Sequence, residues 1–387
     1  MRQVRRIALL VESSRNYGRG LLRGISSYVR EHGYWSFFFQ PHGLEDGAPV
    51  WLGRWEGDGI IARVNDEQMA EVLSAVRVPV VDLRNSVTTA GFPGIGPDNR
   101  LVARLAADHF LERGFRQFGF CGMPRGVYRY MDQRRDSFVE ILAEAGYVCS
   151  AFELSANPRG ARGWDNAQDR LARWIARLPK PVAVMACNDD HGIRVLDACQ
   201  RAEVSVPEEA AVLGVDDDQT LCTLSAPPLS SVNLDVEGIG YAAAELLDRL
   251  MGGERPPEKT IELPPRGVVT RQSTDILATD DNEVAMALRF IRERACDGIR
   301  VGDVVRHVLI SRSSLERRFK AVLGRTPSLE IQRIQMDRAK QLLSETTLSL
   351  ETVARRSGFG SRNYFSEVFH KSIGLTPGQY RRKYSER

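Results

Sequence analysis

The chain has 387 residues, 43% of them hydrophobic and 27% charged, with a formal net charge of +3. That composition suits a globular protein of two or three domains, and no apolar run approaches the ~20 residues a membrane helix needs. The basic start, Met1-Arg2-Gln3-Val4-Arg5-Arg6-Ile7, leads into an apolar stretch broken at Glu12; this reads as a first strand, not a signal peptide, and a cytoplasmic location is expected.

From the start to about residue 275, short apolar segments alternate with amphipathic ones, the pattern of a parallel sheet with helical crossovers. Strands are expected at 6–11, 35–39, 59–63, 78–82, 118–121, 182–186 and 211–215. Helices are expected at 18–31, 66–76, 99–113, 132–145, 164–178, 189–202 and 236–251. Gly33, Gly114, Gly146 and Gly252-Gly253 stand just past the last periodic residue of four of these helices, where a left-handed residue closes a helix. Phe115-Arg116-Gln117-Phe118-Gly119-Phe120-Cys121 restarts the pattern after four strands, so two α/β lobes with a crossover near residues 96–115 are expected. The six cysteines (Cys121, Cys149, Cys187, Cys199, Cys222, Cys296) show no CxxC spacing and read as reduced, mostly buried thiols. The polar, aperiodic stretch 273–282 is expected to be a linker after a 1–272 sensing domain.

From 283 to 387 the pattern is all-helical. Two helix-turn-helix units follow one another, the first at 301–323 and the second at 348–373. A long helix at 328–344 is expected to join them and set their spacing. The second helix of each unit opens on a Ser able to cap it, and each carries apolar residues at helical spacing: Leu315, Phe319 and Val322, then Phe365, Val368 and Phe369. Gly324-Arg325-Thr326-Pro327 and Gly374-Leu375-Thr376-Pro377 repeat one closure, which points to an internal duplication of about 50 residues. From Asp280 onward there are 21 Lys+Arg against 13 Asp+Glu, or +8; the preceding residues carry 32 against 37, or −5. A basic tail on an acidic body suits a phosphate-backbone partner, although charge alone is equally compatible with a solvated basic face.

The tail resembles the DNA-binding domain of the AraC/XylS transcription regulators. The carrying residues are Ser-Leu-Glu-Thr-Val-Ala-Arg-Arg-Ser-Gly-Phe at 349–359, Tyr-Phe-Ser-Glu-Val-Phe-His-Lys at 364–371 and Gly-Leu-Thr-Pro-Gly-Gln-Tyr-Arg at 374–381. The resemblance implies that Ser313, Glu316 and Arg317 of the first reading helix reach base edges. Arg317 suits guanine, and Glu316 suits a cytosine amino group. Arg312 and Lys320 read as phosphate contacts that set register. Arg362, Asn363 and Glu367 hold the corresponding places in the second unit, where Asn363 suits adenine. Each of these residues is also compatible with an exposed side chain that touches no base.

The part before the linker resembles the effector domain of LacI/GalR-type repressors, itself similar to periplasmic sugar-binding proteins. Three landmarks carry the likeness: Gln-Arg-Arg-Asp-Ser-Phe at 133–138, Val-Met-Ala-Cys-Asn-Asp at 184–189, and Gly-Val-Asp-Asp-Asp at 214–218 followed by Ala-Pro-Pro-Leu-Ser-Ser-Val at 226–232. It departs from that type in carrying its DNA-binding module behind the sensor. Parallel sheets bind ligands beyond the carboxyl ends of their strands. Arg134, Asp189 and Asp216 are therefore the first candidates for sugar hydroxyls, with Asn188, Asn16, Tyr17 and Trp164 next. Helix capping is an alternative role for the two aspartates, and ordinary packing for Tyr17 and Trp164.

Gly18-Arg19-Gly20-Leu21-Leu22-Arg23-Gly24 imitates a dinucleotide fingerprint, but its glycines lie past the strand end and the second strand ends on Gln40, not an acid. No nucleophile elbow or HExxH motif is present, and His32, His42, His109, His191, His307 and His370 read as structural. No enzyme, cofactor or metal site is expected. The two resemblances together are those of XylR-type regulators, which respond to xylose. They imply a homodimeric, pentose-responsive, DNA-binding regulator, and RNA polymerase as a further partner if it activates. A sugar-binding protein whose helical tail binds another protein is the alternative.

Overall fold

The computed structural model describes residues 4–40, 47–64, 66–83, 91–154, 160–276, 279 and 281–384. The chain divides into two compact units, Met1–Ile276 and Leu277–Arg387.

The first unit holds two lobes. In lobe 1, strands β1 (Arg5–Leu10), β2 (Trp35–Phe39), β3 (Gly59–Ala62) and β4 (Val80–Asp82) form a parallel sheet in the order β2-β1-β3-β4. Side chains alternate across β1, as a pleated strand requires. Ile7 and Leu9 enter one buried cluster, with helices α1 (Asn16–His32) and α8 (Val236–Met251). Ala8 and Leu10 enter another, with helix α2 (Glu67–Ser74). Both faces of the sheet are covered, which is why β1 reads as a continuous apolar run.

The glycine pattern near the start has a packing explanation. A Cβ on Gly24 of α1 would fall 2.0 Å from the Glu237 carbonyl oxygen of α8, and one on Gly240 of α8 would fall 2.1 Å from the Leu21 carbonyl oxygen. The two helix backbones touch, and only glycine permits it.

The chain leaves lobe 1 through β5 (Ile95–Pro97), enters helix α3 (Asn99–Leu111) and builds lobe 2. Here β6 (Gln117–Gly122), β7 (Cys149–Glu153), β8 (Val182–Ala186), β9 (Ala210–Val215), β10 (Ser230–Asn233) and β12 (Gly267–Val269) form one sheet. Their order is β12-β10-β9-β8-β6-β7, with β12 antiparallel. Helices α4 (Arg129–Glu144), α5 (Gly160–Arg177), α6 (Asp189–Arg201) and α7 (Gln219–Leu224) belong to this lobe. After β10 the chain returns to lobe 1 as α8, pairs β11 (Ile261–Leu263) with β5, and crosses back to β12. Three crossings therefore join the lobes where the sequence suggested one.

All seven expected strands are present, with ends displaced by at most two residues. The unexpected strands β5, β10, β11 and β12 have three or four residues, too few to show a period, and β7 is half exposed. Ser273 and Thr274, read from the sequence as the start of a linker, are buried in the sensor. Ser273 Oγ donates to the Val212 carbonyl at 2.6 Å, and Thr274 Oγ1 donates to Ser230 Oγ at 2.7 Å. At the other end of that stretch, Asp281 caps helix α9 (Asn282–Arg294) through the Val284 amide.

The second unit is helical, with α10 (Val301–Val308), α11 (Arg312–Leu323), α12 (Pro327–Glu345), α13 (Leu350–Arg356), α14 (Arg362–Ile373) and α15 (Pro377–Tyr384). The cores of both helix-turn-helix units form where periodicity placed them: Leu315 and Phe319, Phe365 and Phe369 are fully buried.

Candidate functional site

A cleft opens between the lobes, lined from both of them. From lobe 1 come Glu12, just beyond the carboxyl end of β1, Tyr17, in the first turn of α1, and Arg63, just beyond the carboxyl end of β3. From lobe 2 come Tyr130 and Arg134 on α4, Asn188 beyond β8 and Asp216 beyond β9. Parallel strands deliver these side chains to one rim because their carboxyl ends all point the same way.

Arg134 is 1% exposed. One guanidinium nitrogen donates to the Cys187 carbonyl and another to Asn99 Oδ1 at 3.1 Å, so its orientation is locked. Asn188 caps α6, its Oδ1 accepting from the His191 amide at 3.0 Å, and it also meets His191 Nδ1 at 2.8 Å. Burial lowers the His191 pKa to about 4, against the Leu154 carbonyl, which lies 3.1 Å from Nε2 and raises it. In lobe 1, Arg63 pairs with Glu12 and lies 4.9 Å from the Tyr17 ring centroid. Arg15 crosses the cleft to Asp190 at 2.8 Å.

Asp216 is half-buried, and burial pushes its pKa up to about 7. Asp190 adds to the rise, while Arg134, Arg63 and Arg15 oppose it. Neighbouring Asp189 is shifted upward as well, by burial first and Asp216 second.

Four residues singled out from the sequence thus meet in one cleft: Tyr17, Arg134, Asn188 and Asp216. Asp189, Asn16 and Trp164 are not among its lining residues. Asp189, 1% exposed, accepts from Ser231 Oγ at 2.6 Å and from the Asp218 amide at 2.7 Å. It braces the turn that presents Asp216. Neither aspartate caps a helix, because Asn188 caps α6 and Asp218 caps α7. Asn16 begins α1, half-buried beside Tyr17. Trp164 is 44% exposed on α5, its ring 4.4 Å from the Arg194 guanidinium. Glu12, Arg63, Asn99 and Tyr130 were missed. Their signal was position, a polar residue directly after an apolar strand, which Glu12 and Arg63 both satisfy.

In the second unit the two reading helices have matching exposure. Arg312, Ser313, Arg317 and Lys320 are exposed on α11 and Glu316 is half-buried; Arg362, Asn363 and Glu367 are exposed on α14. Ser311 caps α11 through the Ser314 amide at 3.2 Å, and Ser361 caps α14 through the Tyr364 amide at 3.3 Å. Glu316 pairs with Arg312 at 2.9 Å. Arg318 turns back instead to Asp281 and Glu283, at 2.6 and 2.7 Å. Gln335 on α12 bridges the end of α9 and the turn of the second helix-turn-helix, its Nε2 donating to the Ala295 carbonyl at 2.8 Å and the Gly358 carbonyl at 3.3 Å.

A hinged two-lobed α/β sensor followed by tandem helix-turn-helix units defines a class: the ligand-controlled DNA-binding regulators. Comparison with known proteins narrows this. Residues 6–96 match the XylR N-terminal domain, 107–274 a periplasmic binding protein-like domain and 304–383 a helix-turn-helix domain. The xylose operon regulatory protein of Escherichia coli is 34% identical over 391 residues, covering 98% of both chains. That of Haemophilus influenzae is 33% identical over 385 residues, again covering 98% of both. A solved structure of the xylose-binding transcription activator xylR matches with TM-score 0.82 and 33% identity, covering 100% of both chains. The chain belongs to the XylR family: it is a transcription regulator that binds DNA through its tandem helical unit under the control of a small sugar.

Proposed function

We propose that the effector is xylose or a closely related pentose, held between the lobes and stabilising one arrangement of the sensor. The observation that carries this reading is the cleft itself, where Arg134 and Asp216 of lobe 2 converge with Glu12 and Arg63 of lobe 1. Asp216 accepts from sugar hydroxyls and Arg134 donates to sugar oxygens, each a charge-assisted bond. Asn188 has its carbonyl oxygen engaged by His191, so its amide N–H groups serve the ligand. Tyr17 and Tyr130 supply ring faces for the apolar side of a sugar. The names of the full-length relatives point the same way.

On DNA, Ser313, Glu316, Arg317, Arg362, Asn363 and Glu367 read bases, while Arg312 and Lys320 hold phosphates. The relative described as an activator suggests that sign here, with RNA polymerase as a further partner. The chain works in the cytoplasm by binding, without chemistry on the sugar; no helix among the described residues is long and apolar enough to cross a membrane. A homodimer is part of this reading. The edge strand β2 exposes Phe37, Phe38 and Phe39, an apolar strip of the kind that marks an interaction site.

A thermal-shift and calorimetric screen of the full chain against xylose, arabinose, ribose and glucose tests the effector. Xylose or another pentose is expected to raise Tm most, by mass action on the folded state; a hexose alone doing so overturns the pentose assignment.

A further inference from the structure

The mouth of β1 carries a group that sequence reasoning did not single out. Glu12 is 1% exposed, yet it lines the cleft. Its Oε1 receives the Arg63 guanidinium, and its Oε2 is buried with no hydrogen-bond partner among the described residues. A buried carboxylate oxygen left without a donor is costly, and it gains most from a donor that fits. Arg63 Nε is likewise buried without a hydrogen-bond partner among the described residues, so the pair is incompletely satisfied on both sides. The Arg63 backbone amide is tied to the Leu10 carbonyl at 3.0 Å and its guanidinium is held over the Tyr17 ring. A hydroxyl donor held in the cleft would complete the shell of the free Glu12 oxygen.

We infer that Glu12 is a specificity-determining residue of the cleft: its free oxygen takes a ligand hydroxyl and thereby selects neutral sugars against the corresponding sugar acids. The inference rests on the sugar-sensing reading and adds to it a ligand class and the residue that enforces it. A hydroxyl brings the proton that Oε2 lacks. A ligand carboxylate brings none, and it would place a like charge against Glu12 in a poorly hydrated site. The surroundings agree. Among the described lining residues, the three cations Arg15, Arg63 and Arg134 stand with three carboxyl groups, Glu12, Asp216 and Glu262. Arg63 itself is already neutralised by Glu12. It serves as the positioning group that holds the carboxylate in place and leaves one oxygen for the ligand.

The test is calorimetry on the full chain with D-xylose, its 2-, 3- and 4-deoxy analogues, and D-xylonate, on the wild type and on Glu12→Gln. Wild-type protein is expected to bind xylose at least a hundredfold more tightly than xylonate. In Glu12→Gln, xylose affinity is expected to drop about ten- to a hundredfold, as for loss of a hydrogen bond to a charged group. The gap between xylose and xylonate narrows at the same time. One deoxy analogue should lose affinity in the wild type but almost none further in the variant. That coupling reports direct contact, which a purely structural role of Glu12 would not produce. Xylonate binding the wild type as well as xylose does, or no coupling at any hydroxyl while xylose still binds, overturns the inference and leaves the sugar-sensing reading intact. Failure of the wild type to bind any pentose removes the reading itself. The wild-type comparison of sugar with acid needs no substitution, so the inference is tested even if Glu12→Gln folds poorly.

Discussion

Arg317 and Lys320 stand about one turn apart on α11, both exposed, and the proposed reading divides the work of that helix between them. A guanidinium is a planar fork that matches guanine's two acceptors, while an ammonium is a point charge suited to phosphate. Arg317→Ala should cost about 1–3 kcal/mol at one base pair and relax preference there. Lys320→Ala should weaken binding to all duplexes alike and reduce the salt slope by about 1. Gel shifts with operator and random DNA at several salt concentrations decide between them; equal effects of the two changes on both duplexes contradict the division. Asp216 makes a second residue-scale prediction. It is faced by Arg134 from α4, Arg63 from beyond β3, Arg15 from beyond β1, and Asp189 and Asp190 from α6. Its folded pKa, about 7, lies above the ordinary 3.8. The sugar-free chain therefore loses stability from this group as pH rises from about 4 through 7. A sugar hydroxyl donating to the carboxylate favours the charged form, so sugar affinity should fall as pH drops below 7, and binding near pH 7 should release protons. Calorimetry in buffers of different ionisation enthalpy measures that release, and a heat independent of buffer rules it out.

At the scale of elements, the proposed reading has α12 and one turn set the spacing of the two reading helices. Gly358 has φ +80°, and a Cβ there would fall 2.5 Å from the Ala295 carbonyl oxygen and 2.8 Å from Gln335 Nε2. Gly358→Ala combines backbone strain with a clash, on the order of 1–3 kcal/mol. It should lower Tm and reduce operator affinity more than affinity for random DNA, because each unit keeps its phosphate contacts while their register shifts. Equal losses on both duplexes would show that the turn does not set register. In lobe 1, Gly24→Val should separate α1 from α8 and lower Tm, read by calorimetric unfolding. The apolar and capping signals of these elements were readable in the sequence: β2, β8 and α8 begin and end where expected. Local chemistry sets such ends, since Ser311, Ser361 and Asn188 each cap through a residue three positions on. The short strands β5, β11 and β12 were illegible because three residues carry no period.

For the whole molecule, sugar and DNA are two ligands of one chain, and their effects on each other must be reciprocal. If xylose changes operator affinity by some factor, typically 5–150-fold for such coupling, operator DNA changes xylose affinity by the same factor. Fluorescence anisotropy for DNA and calorimetry for sugar measure the two sides; a shift on one side alone would show that the sugar does not act through a shared equilibrium.

Fold class, lobe count, tandem reading units and half of the cleft's candidate residues were legible from residue order, because apolar period, capping and glycine stops act over a few neighbours. Asn188, Asp216 and Tyr17 were singled out beside a strand end or helix start, and Arg134 at the 133–138 landmark of the family resemblance; the fold brings all four to one cleft. Other assignments needed the chain folded. Asp189 adjoins Asn188 in sequence, yet Ser231 and the Asp218 amide capture it, and Trp164 lies over Arg194 instead of in the cleft. The partnership of Glu12 with Arg63 joins residues on neighbouring strands, and the return of α8 to lobe 1 depends on glycines from distant segments meeting. Contacts between residues far apart along the chain have no local period to announce them; only packing in three dimensions brings them together.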